Sequence, residues 1–119
     1  MGKLTTHVLD TVHGKAASGL TIQLWSINPS TGEKNFIKKV ITNTDGRTDS
    51  PLLSGDELQV GMYELLFSVG DYFADLIPDL PQPRFLNQVP IQFGIADATA
   101  HYHVPLLTSP WAYSTYRGS

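Results

Sequence analysis

Apolar and polar residues alternate with period two along much of this chain, the pattern of strands with one buried and one wetted face. Leu20, Ile22 and Leu24 fall on one face, with Thr21, Gln23 and Trp25 on the other. Tyr63, Leu65, Phe67 and Val69 repeat the pattern around Met62, Glu64 and Ser68. Val89, Ile91 and Phe93 do so again between Gln88, Pro90 and Gln92. Pro90 has no amide hydrogen for a ladder, so its strand is expected at a sheet edge or irregular at its start. Turn residues separate the runs: Asn28-Pro29-Ser30-Thr31-Gly32 reads as a loop between strands and Asp45-Gly46 as a hairpin-type turn. Asp79-Leu80-Pro81-Gln82-Pro83 reads as a surface connection in which no helix persists. One short helix is expected over Ser54–Gly61, with a capping side chain at its start, acids in its first turn and glycine at its end. Seven or eight short strands and one helix predict an all-β sandwich.

The length of 119 residues fits a single domain, 1–119, with one core. Only 16% of residues are charged, which, with the open strand edges of a sandwich, points to surface covered by another subunit. The net charge is −3 and the longest basic run is Lys38-Lys39, too short to track a phosphate backbone, so nucleic acid is not an expected partner. The absence of cysteine excludes disulfides, iron–sulfur clusters and a thiolate nucleophile. No apolar run approaches a membrane span, and the first residues hold no signal-peptide core. No membrane partner is expected, and the cytoplasm is the expected compartment, or the periplasm had a leader been removed.

The candidate chemistry lies in four histidines, an arginine and an aromatic tail. In a strand, His101 and His103 project from one face with Cα atoms roughly 6.5–7 Å apart. That spacing suits a catalytic pair, a metal or simply a polar strand face, and zinc is disfavoured because no cysteine or matching acid accompanies it. Arg47, at the tip of the Thr44-Asp45-Gly46 turn, is either a solvated arginine or a planar fork of donors for an anion or carbonyl. The tail from Ser109 through Tyr116 and Arg117 stays aromatic and strand-like, which suits docking against structure as well as a terminal strand with a polar tip. No Gly-x-Ser-x-Gly elbow, phosphate loop or dinucleotide fingerprint is present. The residues alone give a small, oligomeric β-sandwich with a histidine-rich face.

Three segments, taken in order, resemble the transthyretin-like 5-hydroxyisourate hydrolase family. They are Leu4-Thr5-Thr6-His7-Val8-Leu9-Asp10, Thr42-Asn43-Thr44-Asp45-Gly46-Arg47, and His101-Tyr102-His103-Val104-Pro105-Leu106-Leu107 through to Tyr116-Arg117-Gly118-Ser119. Gly70-Asp71-Tyr72-Phe73 extends the match, as a segment following the helix-and-strand unit. The resemblance implies a transthyretin-like sandwich of two four-stranded antiparallel sheets with one short helix, assembled as a homotetramer (a dimer of dimers) with sites in the channel between dimers. It implies hydrolytic opening of the six-membered ring of the small molecule 5-hydroxyisourate, giving 2-oxo-4-hydroxy-4-carboxy-5-ureidoimidazoline on the route from urate, with no metal or organic cofactor. It places catalytic roles on His7, Arg47 and His103 and substrate contacts on Tyr116, Ser119 and His101, without saying which histidine is the base. His13 matches nothing functional and reads as a surface residue. Ala16 stands where the family often has proline, and Thr108 where it usually has a third leucine, a change expected to affect the channel wall or local packing. The alternative within the same fold is a hormone carrier, which wants an apolar channel and lacks the Tyr-Arg-Gly-Ser ending.

Overall fold

The computed structural model describes residues 1–118. Among the described residues nine strands run in chain order: β1 Lys3–Asp10, β2 Lys15–Ala16, β3 Thr21–Ile27, β4 Lys34–Ile41, β5 Leu53–Ser54, β6 Gly61–Phe67, β7 Val89–Ile95, β8 His101–Thr108 and β9 Tyr113–Thr115. One α-helix, α1, spans Val69–Leu76 between β6 and β7. β4, β3, β6 and β7 form an antiparallel sheet in that order. The second sheet runs β2-β1-β8-β9, with β5 also paired to β1.

The period-two reading places the apolar faces correctly, although Glu64 and Ser68, expected on the wetted face, are also buried. Leu20, Ile22, Leu24, Leu65 and Phe67 are fully buried, meeting Leu4, Val8 and Leu106 from the other sheet. Trp25, on the opposite face of β3, lies edge-on to Phe36. Pro90 lies in β7, which among the described residues pairs only with β6 and so forms a sheet edge. The Asn28–Gly32 loop joins the antiparallel pair β3–β4 as its residues predict.

Two expectations change. The second sheet is not four antiparallel strands: β1 and β8 pair in parallel, from Lys3 opposite His101 to Asp10 opposite Thr108. The whole of the other sheet lies between these two strands in sequence, and alternation reports burial but not direction. The helix also moves. Ser54–Gly61 contains only a 3-10 turn over Gly55–Glu57, where the Ser54 amide donates to the Glu57 carboxylate at 3.2 Å. Leu58 is the sole buried apolar side chain of that segment, so no apolar stripe holds a helix to the core. Val69, Tyr72 and Phe73 stand at i, i+3 and i+4 and are buried together, and this stripe makes the helix. Val69 therefore opens α1 instead of continuing β6, and Gly70-Asp71-Tyr72-Phe73 is the helix itself.

A buried carboxylate ties α1 to the end of β1. Asp10 accepts from the Val12 and His13 amides at 2.9 and 3.0 Å and from the Tyr72 hydroxyl at 2.8 Å. His13 Nδ1 lies 2.6 Å from the same group. Burial opposes ionisation of Asp10, but these hydrogen bonds outweigh it and hold its pKa below the ordinary carboxylate value. His13 is thus a surface residue whose ring is committed to a structural clasp. Thr108 is buried and its hydroxyl donates to the Ser109 carbonyl at 3.0 Å, so it touches the packing and not the face that carries His103.

Candidate active site

The outer face of the parallel β1–β8 pair carries the chemistry. Leu4, Thr6 and Val8 of β1 point inward and are buried, which turns Lys3, Thr5 and His7 outward. On β8 the same alternation buries Tyr102 and Val104 and turns His101 and His103 outward. The register sets Thr5 opposite His103 and Lys3 opposite His101. Thr5 Oγ1 lies 2.7 Å from His103 Nδ1 and 2.8 Å from His101 Nε2, bridging two imidazoles whose centroids are 6.2 Å apart.

Arg47 arrives from a loop clamped against β1. Asn43 closes the turn: its side-chain oxygen accepts from the Asp45 and Arg47 amides, and its own amide donates to the Arg47 carbonyl at 2.8 Å. The Val8 amide donates to the Gly46 carbonyl at 2.8 Å, fixing the loop beside His7. Gly46 has φ +72°, and a Cβ there would lie 2.5 Å from the Val8 carbonyl oxygen, so the close approach excludes any side chain. Arg47 then lines a cleft of about 370 Å³ with Lys3, Thr5, Asp49, His101 and His103.

The surroundings of His103 and His7 lower their affinity for a proton. Burial lowers the His103 pKa from its ordinary value, and the charges of Arg47, His101 and His7 lower it further. Burial and then Arg47 also lower His7, against a smaller opposing pull from Asp45. A neutral imidazole beside a fixed guanidinium can take a proton while the arginine faces developing negative charge. Among the described residues, no group of three or more His, Cys, Asp or Glu side chains is gathered to hold a metal ion.

The tail docks along β8. β9 pairs with it antiparallel, and the Gly118 amide donates to the His103 carbonyl at 2.8 Å. The Arg117 guanidinium stacks 4.2 Å from the centre of the Tyr102 ring. The structure therefore brings His101, His103 and Arg47 into one cleft, with His7 on the same sheet face and under the same arginine. Tyr116 is exposed and, within one protomer, borders a second cleft with Phe93, Tyr102 and Val104. Ser119 lies outside the described residues. Sequence reasoning missed Thr5 and Gly118, although Thr5 shares the period-two face of His7.

Residues 4–118 match the HIUase/Transthyretin family model. The chain belongs to that family. It is 56% identical to a 5-hydroxyisourate hydrolase of Ralstonia nicotianae over 119 residues, the whole of both chains. It superposes on the structure of Klebsiella pneumoniae 5-hydroxyisourate hydrolase with a TM-score of 0.79, at 33% identity and full coverage of both. Sea bream transthyretin in complex with thyroxine shares the fold at a TM-score of 0.85 and 22% identity, over 98% of this chain and 94% of that one. This HIUase/Transthyretin-family member is an enzyme, a hydrolase. Among the described residues no helix is long and apolar enough to cross a membrane.

Proposed function

We propose that the protein hydrolyses 5-hydroxyisourate to 2-oxo-4-hydroxy-4-carboxy-5-ureidoimidazoline in urate breakdown. The observation that carries this reading is the convergence of Arg47, His101 and His103 on one polar cleft, in a chain so similar to hydrolases of that name.

Ring opening is hydrolysis of an acyl carbon–nitrogen bond. A water oxygen attacks the ring carbonyl as its proton leaves, and the departing nitrogen must gain a proton. His7 and His103 orient the water and one of them takes the proton. The new carbon–oxygen bond gives a tetrahedral oxyanion, which the Arg47 fork stabilises. Collapse breaks the carbon–nitrogen bond, the imidazolium returns its proton to the nitrogen, and a carboxyl and a ureido group result. The balance closes without a cofactor. His101 contacts the substrate from the cleft wall.

The working form in this reading is a homotetramer, a dimer of dimers. One protomer leaves the histidine cleft open on a sheet face and exposes Ile37, Ile41, Tyr113 and Tyr116, surface that further copies would cover. A hormone carrier wants an apolar lining, and this face presents Lys3, Arg47 and two histidines instead.

The test generates 5-hydroxyisourate in place from urate with urate oxidase and follows its ultraviolet decay with and without the protein. Acceleration proportional to protein concentration, and lost in Arg47→Ala, supports the reading. Decay at the unaided rate in the presence of folded protein overturns it.

A further inference from the structure

Thr5 Oγ1 stands within hydrogen-bond distance of two imidazole nitrogens, yet a hydroxyl has a single proton to donate. At most one ring can receive that proton, so at least one must supply its own N–H to the oxygen, which has two lone pairs. Two arrangements keep the hydroxyl proton within the bridge. In the first, His101 donates from Nε2 and Thr5 donates to His103 Nδ1. The His103 hydrogen is then on Nε2, and the ring offers the cleft no lone pair. In the second, His103 donates from Nδ1 and the Thr5 hydroxyl donates to His101 Nε2. His103 Nε2 then carries an open lone pair.

We propose that Thr5 is a positioning residue that holds His103 in the second arrangement, making His103 Nε2 the base that takes the proton from water. This rests on the hydrolytic reading above and assigns its base. With Nδ1 committed to Thr5, Nε2 is the nitrogen left for the cleft that Arg47 lines, and a cation favours a lone pair there over an N–H. The tail guards the same end of the ring: a Cβ on Gly118 would lie 2.5 Å from Cδ2, the carbon bonded to Nε2.

His101 is the exposed end of the bridge. The charged and titratable groups around the bridge are Lys3 and His7 of β1, Asp45, Arg47 and Asp49 of the loop, and the two histidines of β8.

Two measurements test the role. Long-range proton–nitrogen spectra of protein carrying nitrogen-15 histidine, taken above neutral pH, should place the His103 hydrogen on Nδ1, and Thr5→Val should shift it toward Nε2. A wild-type His103 with its hydrogen on Nε2 overturns the proposal. In the decay assay, Thr5→Val should lower kcat by ~10²-fold with little change in KM, because the group lost acts through the base. Thr5→Ser, which keeps the hydroxyl, should recover most of the rate. Thr5→Val should cost nothing further in a His103→Ala background. Wild-type turnover in folded Thr5→Val overturns the positioning role alone, whereas an inactive wild-type protein overturns the hydrolase reading and this inference with it.

Discussion

The backbone of Gly118 lies against the imidazole of His103: its amide donates to the His103 carbonyl at 2.8 Å, and a Cβ added to it would fall 2.5 Å from Cδ2. Because the nearest atoms belong to His103 itself, a larger residue must displace the ring or the tail. Gly118→Ala is expected to lower kcat/KM by ~10²-fold, the scale of a misplacement near 1 Å, while the melting temperature stays close to wild type. Unchanged turnover would mean that the ring and tail move apart without consequence.

Arg47 is expected to act both on the reaction and on its neighbours' protonation. Arg47→Ala should lower kcat by ~10²–10³-fold, the scale of one lost oxyanion donor. Removing the cation also relieves the charge that lowers His7 and His103, so the acid limb of the rate profile should move to higher pH. A rate loss with an unmoved limb would separate the arginine from the histidines.

The wild-type pH profile follows from the same shifts. Burial and Arg47 lower both histidine pKa values below 6.5, so the base form persists below the pH at which an ordinary imidazole charges. The kcat/KM plot should stay level through neutrality and fall only once pH drops through the lowered value. An inflection at or above the ordinary value would contradict the site's electrostatics.

Asp10 governs stability. Asp10→Ala removes the acceptor of two backbone amides and of the buried Tyr72 hydroxyl, and a loss of about 3 kcal/mol is expected in chemical denaturation. The folded pKa of Asp10 is lowered, so the unfolded chain binds the proton first as pH falls. Its contribution is complete above the unfolded value of 3.8 and is lost as pH drops through the folded one. Acid unfolding of the variant should therefore be flatter in that range than that of wild type.

Deleting Tyr116–Ser119 removes the Arg117 stack on Tyr102 and the Gly118 contact with His103, while β8 and β9 keep their pairing from Leu106 to Thr108. The shortened chain is expected to fold and to lose turnover in the decay assay. Full activity would make the tail dispensable.

Period-two alternation was enough to read the buried faces of β3, β6 and β7, because side-chain direction along a strand is a local property of the backbone. It failed at Val69, where the i, i+3, i+4 stripe of Val69, Tyr72 and Phe73 competes with a strand pattern that runs directly into it. Cap chemistry at Ser54 and Glu57 was real but made only one 3-10 turn, since capping without an apolar stripe does not bury a helix.

The site divides in the same way. The order of motifs along the chain marked His7, Arg47, His101, His103 and the tail, because each is a short local string. Their relation in space depends on contacts between distant segments. The parallel pairing of β1 with β8 puts Thr5 beside both histidines, and the Gly46 carbonyl on the Val8 amide brings Arg47 to the same face. Neither pairing direction nor loop docking is written in local alternation, since both are set by which buried surfaces fit together once the sheets close. Residue types were therefore legible in the linear chain, whereas the bridge through Thr5 and the lowered histidine pKa values exist only in the folded one.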